Sequence, residues 1–152
     1  MTIEGVRFGH VNITGHDWRR LAAFYTEVFG CEFVPPERDY SGPVFAAGVG
    51  VPGGALRGVH LRLPGAGEGG PTIEIYSYSE MLPAQPTAAN RPGWNHVAFD
   101  VDDVRAARET VIAEGGSAVG EVVDAVLADG RGITWAYLAD PEGNIVELRA
   151  WT

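Results

Sequence analysis

Four side chains in this sequence are of the types that bind divalent cations, and they recur in matching sequence contexts. They are His10, Glu74, His96 and Glu147. Each lies in a segment where apolar and polar residues alternate, and each has the parity opposite to its apolar neighbours. Imidazole nitrogens and carboxylate oxygens are good ligands for divalent transition metals. The set contains no thiolate, which argues against a structural zinc site of the finger kind.

The alternation predicts the strands that position these side chains. The segment 93–101 is the clearest, because Val97, Phe99 and Val101 form an apolar face opposite His96. Further strands are predicted at residues 5–14, 31–36, 55–63, 72–78, 117–126, 132–139 and 144–151.

Apolar residues spaced three and four apart predict two helices. The first begins near Asp17 and ends at Gly30, and the second runs from about Asp102 to Glu114. An acidic residue at the start and a glycine after the end are typical of helix termini. Residues 37–54 are rich in Gly and Pro, and we interpret them as a long loop or lid, with a partial strand over 43–51 as the alternative.

The second half of the chain repeats the first. A shift of 86 positions places His96 on His10 and Gly116 on Gly30, and each half reads strand, helix, strand, strand, strand. We therefore predict one domain over 1–152. Its parts are module 1 (5–78), a proline-containing linker (79–92) and module 2 (93–152).

This order predicts an α+β fold of two tandem βαβββ modules that form a curved mixed sheet around a metal cavity. The aliphatic faces of the strands must be buried away from water, and the two helices are expected to pack on them. The two His and two Glu side chains then lie on the opposite face of the sheet, where they can gather around one ion.

Several motifs carry a resemblance to a known family. They are Phe8-Gly9-His10-Val11, Thr72-Ile73-Glu74-Ile75, Asn95-His96-Val97-Ala98-Phe99-Asp100 and Asp140-Pro141-Glu142-Gly143-Asn144-Ile145-Val146-Glu147. In type, order and spacing they resemble the vicinal-oxygen-chelate superfamily. That superfamily includes glyoxalase I, methylmalonyl-CoA epimerase, fosfomycin-resistance enzymes, bleomycin-binding proteins and extradiol dioxygenases.

The resemblance implies a metal centre and a reaction type. Metal ligands in the family come from the first and last strands of each module, here His10, Glu74, His96 and Glu147, and they hold one divalent ion (Ni, Co, Mn, Fe or Zn). A full His/Glu/His/Glu set resembles bacterial glyoxalase I and, with one ligand differing, methylmalonyl-CoA epimerase. It implies an enzyme of the isomerase, epimerase or lyase type that moves a proton next to a carbonyl, with Glu74 or Glu147 as the base.

Two departures bear on the substrate. Bacterial glyoxalase I resembles a sequence with Arg and Asn where this chain has Thr14 and Tyr78, so glutathione dependence is not expected. A flatter aromatic or acyl-like small molecule is favoured instead. The expected substrate contacts are Tyr76, Tyr78, His60, Arg62 and Trp94.

Two other functions remain open. One is a ring-cleaving dioxygenase acting on a catechol-like substrate, against which the extra carboxylate of Glu74 argues. The other is a non-catalytic drug- or metabolite-binding resistance protein. Taken singly, each His or Glu is better explained as an ordinary surface residue. The duplicated pattern is what favours a metal.

Composition limits the partners and the location. A net charge of −9 disfavours nucleic acid and anionic membranes. No run of 18 apolar residues and no leader-like start is seen, so a cytoplasmic protein is expected. Cys31 has no second cysteine to pair with and is interpreted as a small buried residue. A homodimer is expected, because this architecture tends to pair modules between chains.

Overall fold

The computed structural model of the protein describes residues 3–152. The elements, in chain order, are β1 (His10–Thr14), α1 (Trp18–Phe29), β2 (Glu32–Tyr40), α2 (Pro43–Val49), β3 (Leu56–Arg62), β4 (Thr72–Tyr78), β5 (His96–Asp100), α3 (Val104–Ala113), β6 (Ser117–Ala118), β7 (Val123–Val126), β8 (Gly132–Ala139) and β9 (Ile145–Trp151). They divide into two compact units, an N-terminal unit ending at Leu82 and a C-terminal unit, Pro83–Thr152. None of the helices in residues 3–152 has the length and hydropathy needed to cross a bilayer.

The N-terminal unit is a four-stranded mixed sheet with α1 on one face. Its strand order is β1-β4-β3-β2, with β1 parallel to β4 and the other pairs antiparallel. Helix α1 packs on β3 and β4. The buried side chains at this layer are Trp18, Leu21, Phe24 and Tyr25 from the helix, and Val59, Leu61, Ile73 and Ile75 from the strands. The apolar parity of the strands therefore faces the helix, as the sequence predicts.

The ends of α1 are set by its capping residues. The Asp17 side chain accepts hydrogen bonds from the backbone N–H groups of Arg19 and Arg20. At the other end Gly30 adopts φ 66°, the left-handed conformation that glycine takes without strain. Both predicted ends of the helix are confirmed.

The C-terminal unit repeats this plan with a five-stranded sheet. Its order is β5-β9-β8-β6, with β7 also paired to β8 and β5 parallel to β9. Helix α3 is capped by Asp103 and packs on β8 and β9. The buried side chains here include Val104, Val111, Ala136, Leu138, Val146 and Leu148. The predicted α+β class and the repeated βαβββ order are confirmed.

The interpretation of residues 37–54 as a loop is wrong. Strand β2 continues to Tyr40, and helix α2 follows from Pro43 to Val49. Strand β2 lies at the edge of the sheet, and its two prolines lie where the pairing with β3 shifts register, between Val34 and Arg38. They therefore occupy no paired position, and the strand resumes after them. Pro43 in the first turn and Gly50 at φ 70° are normal signals of a short helix, so 43–51 is not a strand either.

The strand predicted at 117–126 is divided in two. Strands β6 and β7 both pair with β8, and between them the N–H groups of Val119 and Gly120 donate to the same Tyr137 carbonyl at 3.1 and 3.0 Å. Two amides opposite one residue is the pattern of a β-bulge, which interrupts the ladder locally.

Candidate functional site

In the N-terminal unit the parallel pairing of β1 and β4 brings His10 to Glu74. Glu74 is directly paired with Asn12, so His10 lies two residues earlier on the same face. Its Nε2 is 3.3 Å from Oε2 of Glu74. The Glu74 side chain is 13% exposed and that of His10 51%, so the carboxylate is recessed and the imidazole reaches it from the edge strand.

The C-terminal unit builds the same arrangement from β5 and β9. Glu147 is paired with Ala98, and His96 again lies two residues earlier. The distance from His96 Nε2 to Glu147 Oε2 is 3.0 Å. The other ring nitrogen, Nδ1, lies 3.1 Å from Oδ1 of Asn95. The sequence repeat therefore produces the same His–Glu pair, with the same offset, in each unit.

Each pair fits a divalent cation in donor type and spacing. Ligand atoms bound at about 2.1 Å in neighbouring positions of an octahedral ion lie about 3 Å apart. The two observed nitrogen-to-oxygen distances are 3.3 and 3.0 Å. Within residues 3–152, no group of three or more His, Cys, Asp and Glu side chains is arranged to hold a metal ion. The four-ligand centre thus stays a prediction, to which each unit contributes one matching pair of donors.

A second histidine contacts Glu74 from the other side. His60 on β3 is directly paired with Glu74, and its Nε2 lies 3.0 Å from Glu74 Oε1 and 2.7 Å from the Tyr76 hydroxyl oxygen. Burial lowers the pKa of His60, with Arg38 and His10 acting in the same direction and Glu74 opposing them.

Tyr76 completes this group. Burial raises the pKa of Tyr76 far above its usual range, and the charge of Glu74 and a hydrogen bond to its carboxylate raise it further. The hydroxyl therefore stays protonated and can donate to the carboxylate. In the N-terminal unit, one carboxylate is surrounded by two imidazoles and a phenol.

A tyrosine takes the equivalent place beside Glu147. Tyr137 on β8 is directly paired with Glu147, and its ring centroid lies 4.9 Å from that of His96. Burial raises the pKa of Tyr137, and the charge of Glu147 raises it further. The structure places the ring of Tyr137 against His96 and that of Trp135 5.2 Å from Tyr137.

The expected substrate contacts lie in different surroundings. His60 and Tyr76 are beside Glu74, and Tyr76 is only 7% exposed. Arg62 forms an ion pair with Glu32 at 3.0 Å. Tyr78 is half-buried at the end of β4, and Trp94, before β5, is 98% exposed. His60 and Tyr76 are thus gathered at the His10–Glu74 pair, while Arg62 is engaged by an acidic neighbour.

Asn12 is a polar neighbour of Glu74 that sequence reasoning missed. Its Nδ2 lies 3.5 Å from Glu74 Oε2, and the Thr14 hydroxyl donates to its Oδ1 at 2.9 Å. The sequence did contain a signal for this neighbour, because Asn12 and Thr14 alternate with apolar residues and so lie on the same face of β1 as His10. An amide contact of this length is a weak hydrogen bond. It turns the positive end of the Asn12 amide dipole toward the same oxygen of Glu74 that His10 contacts.

The sequence matches a known protein family over most of its length. Residues 7–148 match the profile of the Glyoxalase/Bleomycin resistance protein/Dioxygenase superfamily. The chain belongs to that superfamily. The expected relationship is confirmed, and the matched residues include both His–Glu pairs.

Individual members of the superfamily are similar to this chain over nearly its whole length. An ethylmalonyl-CoA/methylmalonyl-CoA epimerase from Cereibacter sphaeroides is 27% identical over 142 residues, covering 93% of this chain and 96% of the epimerase. A glyoxalase-family protein from Bacillus cereus has a similar structure, with a TM-score of 0.82, 20% identity and coverage of 98% and 96% of the two chains.

A third relative was solved with a metal. It is a fosfomycin resistance protein from Listeria monocytogenes in complex with Mn(II) and sulfate, with a TM-score of 0.53, 18% identity and coverage of 99% of this chain and 95% of that one. At these identities the two structural similarities show the fold alone. The superfamily as a whole includes metal-dependent epimerases, isomerases and dioxygenases as well as resistance proteins.

Proposed function

We propose that this protein is a divalent-metal-dependent enzyme that moves a proton next to the carbonyl group of a small chelating substrate, in the isomerase or epimerase class. The observation that carries the proposal is the pair of His–Glu contacts at equivalent positions in the two units, with nitrogen-to-oxygen distances of 3.3 and 3.0 Å. His10, Glu74, His96 and Glu147 would be the ligands. When bound, a divalent ion would act as a Lewis acid on the substrate carbonyl.

The surroundings of His96 support its role as a ligand. If Nδ1–H donates to the Asn95 side-chain oxygen, at 3.1 Å, the lone pair of Nε2 points away from that bond and toward Glu147. A metal-binding histidine normally has its second nitrogen held in this way. The carboxylates of Glu74 and Glu147 are then the groups able to take and return a proton.

The proposed substrate class is an acyl thioester. Support comes from the epimerase relative, whose name gives ethylmalonyl-CoA and methylmalonyl-CoA as its substrates, with 27% identity over 93% of this chain. Thr14 and Tyr78, in place of the residues expected for glutathione, favour the same class over a glutathione adduct. The proposed substrate contacts are Tyr78, Arg62 and Trp94. The exposed parts of His60 and Tyr76, which lie beside Glu74, are also proposed to contact the substrate.

The test combines metal analysis with proton exchange. Protein purified without chelator should contain about one equivalent of a divalent metal, and in D₂O it should exchange the C2 proton of methylmalonyl-CoA, followed by ¹H NMR. Glu74→Gln and Glu147→Gln should lower both metal content and exchange. Glu27→Gln, an exposed change on α1, is the control and should leave both unchanged. Wild-type protein without bound metal, or site variants that behave as wild type, would reject the proposal.

Two outcomes of the same experiment would point to the other candidate functions. Oxygen consumption by the iron-loaded protein with a catechol would indicate a dioxygenase. Tight binding of a ligand that survives Glu147→Gln, with no proton exchange, would indicate a binding protein.

We also propose that the protein is a homodimer, because the resemblance to the superfamily implies pairing of modules between chains. Sedimentation equilibrium of the metal-loaded protein would measure its mass against the 16.2 kDa chain. A monomer at micromolar concentration would contradict this.

A further inference from the structure

The two oxygens of Glu74 have different partners. Oε2 lies 3.3 Å from His10 Nε2 and 3.5 Å from Asn12 Nδ2, both on the edge strand β1. Oε1 lies 3.0 Å from Nε2 of His60, on the interior strand β3. The carboxylate is therefore contacted from both neighbouring strands, with one oxygen turned to each.

The contacts on the Oε1 side are the more buried ones. The His60 side chain is 20% exposed, against 51% for His10, and Tyr76 is 7% exposed as a residue. His60 Nε2 also lies 2.7 Å from the Tyr76 hydroxyl oxygen, which is within good hydrogen-bond distance. Because His60 and Glu74 are paired directly across an antiparallel ladder, the contact is fixed by the register of the sheet.

We infer that His60, whose Nε2 also contacts the Tyr76 hydroxyl, is a positioning residue: it holds Oε1 of Glu74, so that Oε2 is the oxygen presented beside His10 to a cation. This inference rests on the proposed metal centre. A carboxylate held at one oxygen binds a metal through the other in a single orientation. Partners that fix a ligand in this way commonly change metal affinity by about 10- to 100-fold when they are removed.

The geometry favours positioning over direct ligation by His60. Its Nε2 contacts both Glu74 Oε1 and the Tyr76 hydroxyl, and a nitrogen that donates a proton in such a group has no lone pair for a metal.

The C-terminal unit has no counterpart of this imidazole. The position paired with Glu147 is Tyr137, whose ring packs on His96 with centroids 4.9 Å apart. The repeat has therefore kept the His–Glu pair in both units and has placed a second histidine beside only one of the two carboxylates.

The experiment measures the affinity for Co²⁺, by competition with a chelator, and the visible d–d spectrum of the bound ion. His60→Leu removes the Oε1 contact and should weaken binding by about 10- to 100-fold. His60→Gln can keep an amide N–H near the place of Nε2 and should bind within about threefold of wild type. His16→Leu, the same change at an exposed histidine before α1, is the matched control and should not alter affinity.

Tyr76→Phe keeps the ring and removes only the hydroxyl, so it gives a second measurement if His60→Leu does not fold. It should weaken binding less than His60→Leu does, without changing the number of bound ions. Thermal unfolding of each variant reports whether the fold is intact.

Three results would overturn the inference. In the first, folded His60→Leu and Tyr76→Phe bind Co²⁺ as wild type does while His10→Ala loses it; the proposed centre then stands and the positioning role fails. In the second, folded His60→Leu and His60→Gln both abolish binding and change the d–d spectrum, which makes His60 a direct ligand. In the third, wild-type protein binds no divalent ion, and the proposed function fails together with the inference.

Discussion

His60 and Tyr137 occupy the same register position in their respective units, each directly paired with the glutamate of a His–Glu pair. His60 pairs with Glu74 across β3 and β4, and Tyr137 pairs with Glu147 across β8 and β9. The duplicated architecture therefore presents one carboxylate to an imidazole and the other to a phenol. This position is therefore one at which the surroundings of the two His–Glu pairs differ chemically.

Tyr137 should stabilise the C-terminal unit through its ring. The ring lies 4.9 Å from that of His96 and 5.2 Å from that of Trp135, and aromatic contacts contribute about 1 kcal/mol beyond burial. Tyr137→Leu should lower the free energy of unfolding by about 1 kcal/mol or more, measured by urea denaturation. Tyr137→Phe keeps the ring and is the control. If both variants lose the same stability, the hydroxyl and not the ring contact is responsible.

Gly58 should be essential for the position of Tyr76. A Cβ at Gly58 would lie 1.9 Å from the Ile75 carbonyl oxygen and 2.4 Å from Cδ1 of Tyr76. Because the closest clash is with backbone, Gly58→Ala must push β3 from β4 and also displace the Tyr76 ring, at a cost of about 1–3 kcal/mol in urea denaturation.

The matched control is Gly69→Ala, in the turn between the same two strands. A Cβ there meets nothing within 4 Å, so the stability should change little. Wild-type stability in Gly58→Ala would show that the two strands are less closely packed than described. A loss of Co²⁺ affinity in the same variant would connect Tyr76 to the carboxylate of Glu74.

Asp140 should be the main polar determinant of the turn before β9. It is 3% exposed, and its Oδ1 accepts from the backbone N–H groups of Glu142 and Asn144, while the Asn144 amide donates to both carboxylate oxygens. Asp140→Ala leaves these donors without their acceptor, so it should cost about 2 kcal/mol in chemical denaturation.

Asp129→Ala is the comparison for that experiment. Asp129 accepts from the N–H and Nε of Arg131 in a similar local pattern, but its side chain is 51% exposed. Water can replace its contacts, and the loss should be clearly smaller than for Asp140→Ala. Equal losses would contradict the role of burial.

Cys31 should be unreactive in the folded protein. Its side chain is 1% exposed, and burial raises the pKa of the thiol to about 12, so almost no thiolate is present at pH 8. Ellman's reagent should label less than a tenth of the protein in an hour at pH 8 and all of it in guanidinium. Ala23→Cys, on the exposed side of α1, is the positive control and should react at once. Rapid labelling of native Cys31 would mean that the thiol is accessible.

The positions of the proposed ligands on the sheets follow from local patterns. Alternation along β4 put Glu74 opposite Ile73 and Ile75, and the structure buries both isoleucines fully. The ends of α1 followed from Asp17 and Gly30, because capping depends only on residues near each end. These features involve few residues and short separations along the chain.

The errors concern strands whose continuation depends on distant neighbours. Pro35 and Pro36 looked like a strand end, but β2 is an edge strand and continues to Tyr40. Likewise the segment 117–126 divides because Val119 and Gly120 share one carbonyl of β8. Neither the continuation of β2 nor the division of 117–126 has a local signal in the sequence, since each depends on the pairing with the neighbouring strand.

The sequence by itself determined which residues face away from the apolar core and that the His–Glu pattern occurs twice. A strand has a period of two and a helix is capped by its own flanking residues, so both properties are local. Only the tertiary structure decided what lies beside each glutamate: His60 and Tyr76 at Glu74, and Tyr137 at Glu147. Those neighbours depend on the register between strands distant in sequence, and register is set by the pairing of whole strands together with their bulges.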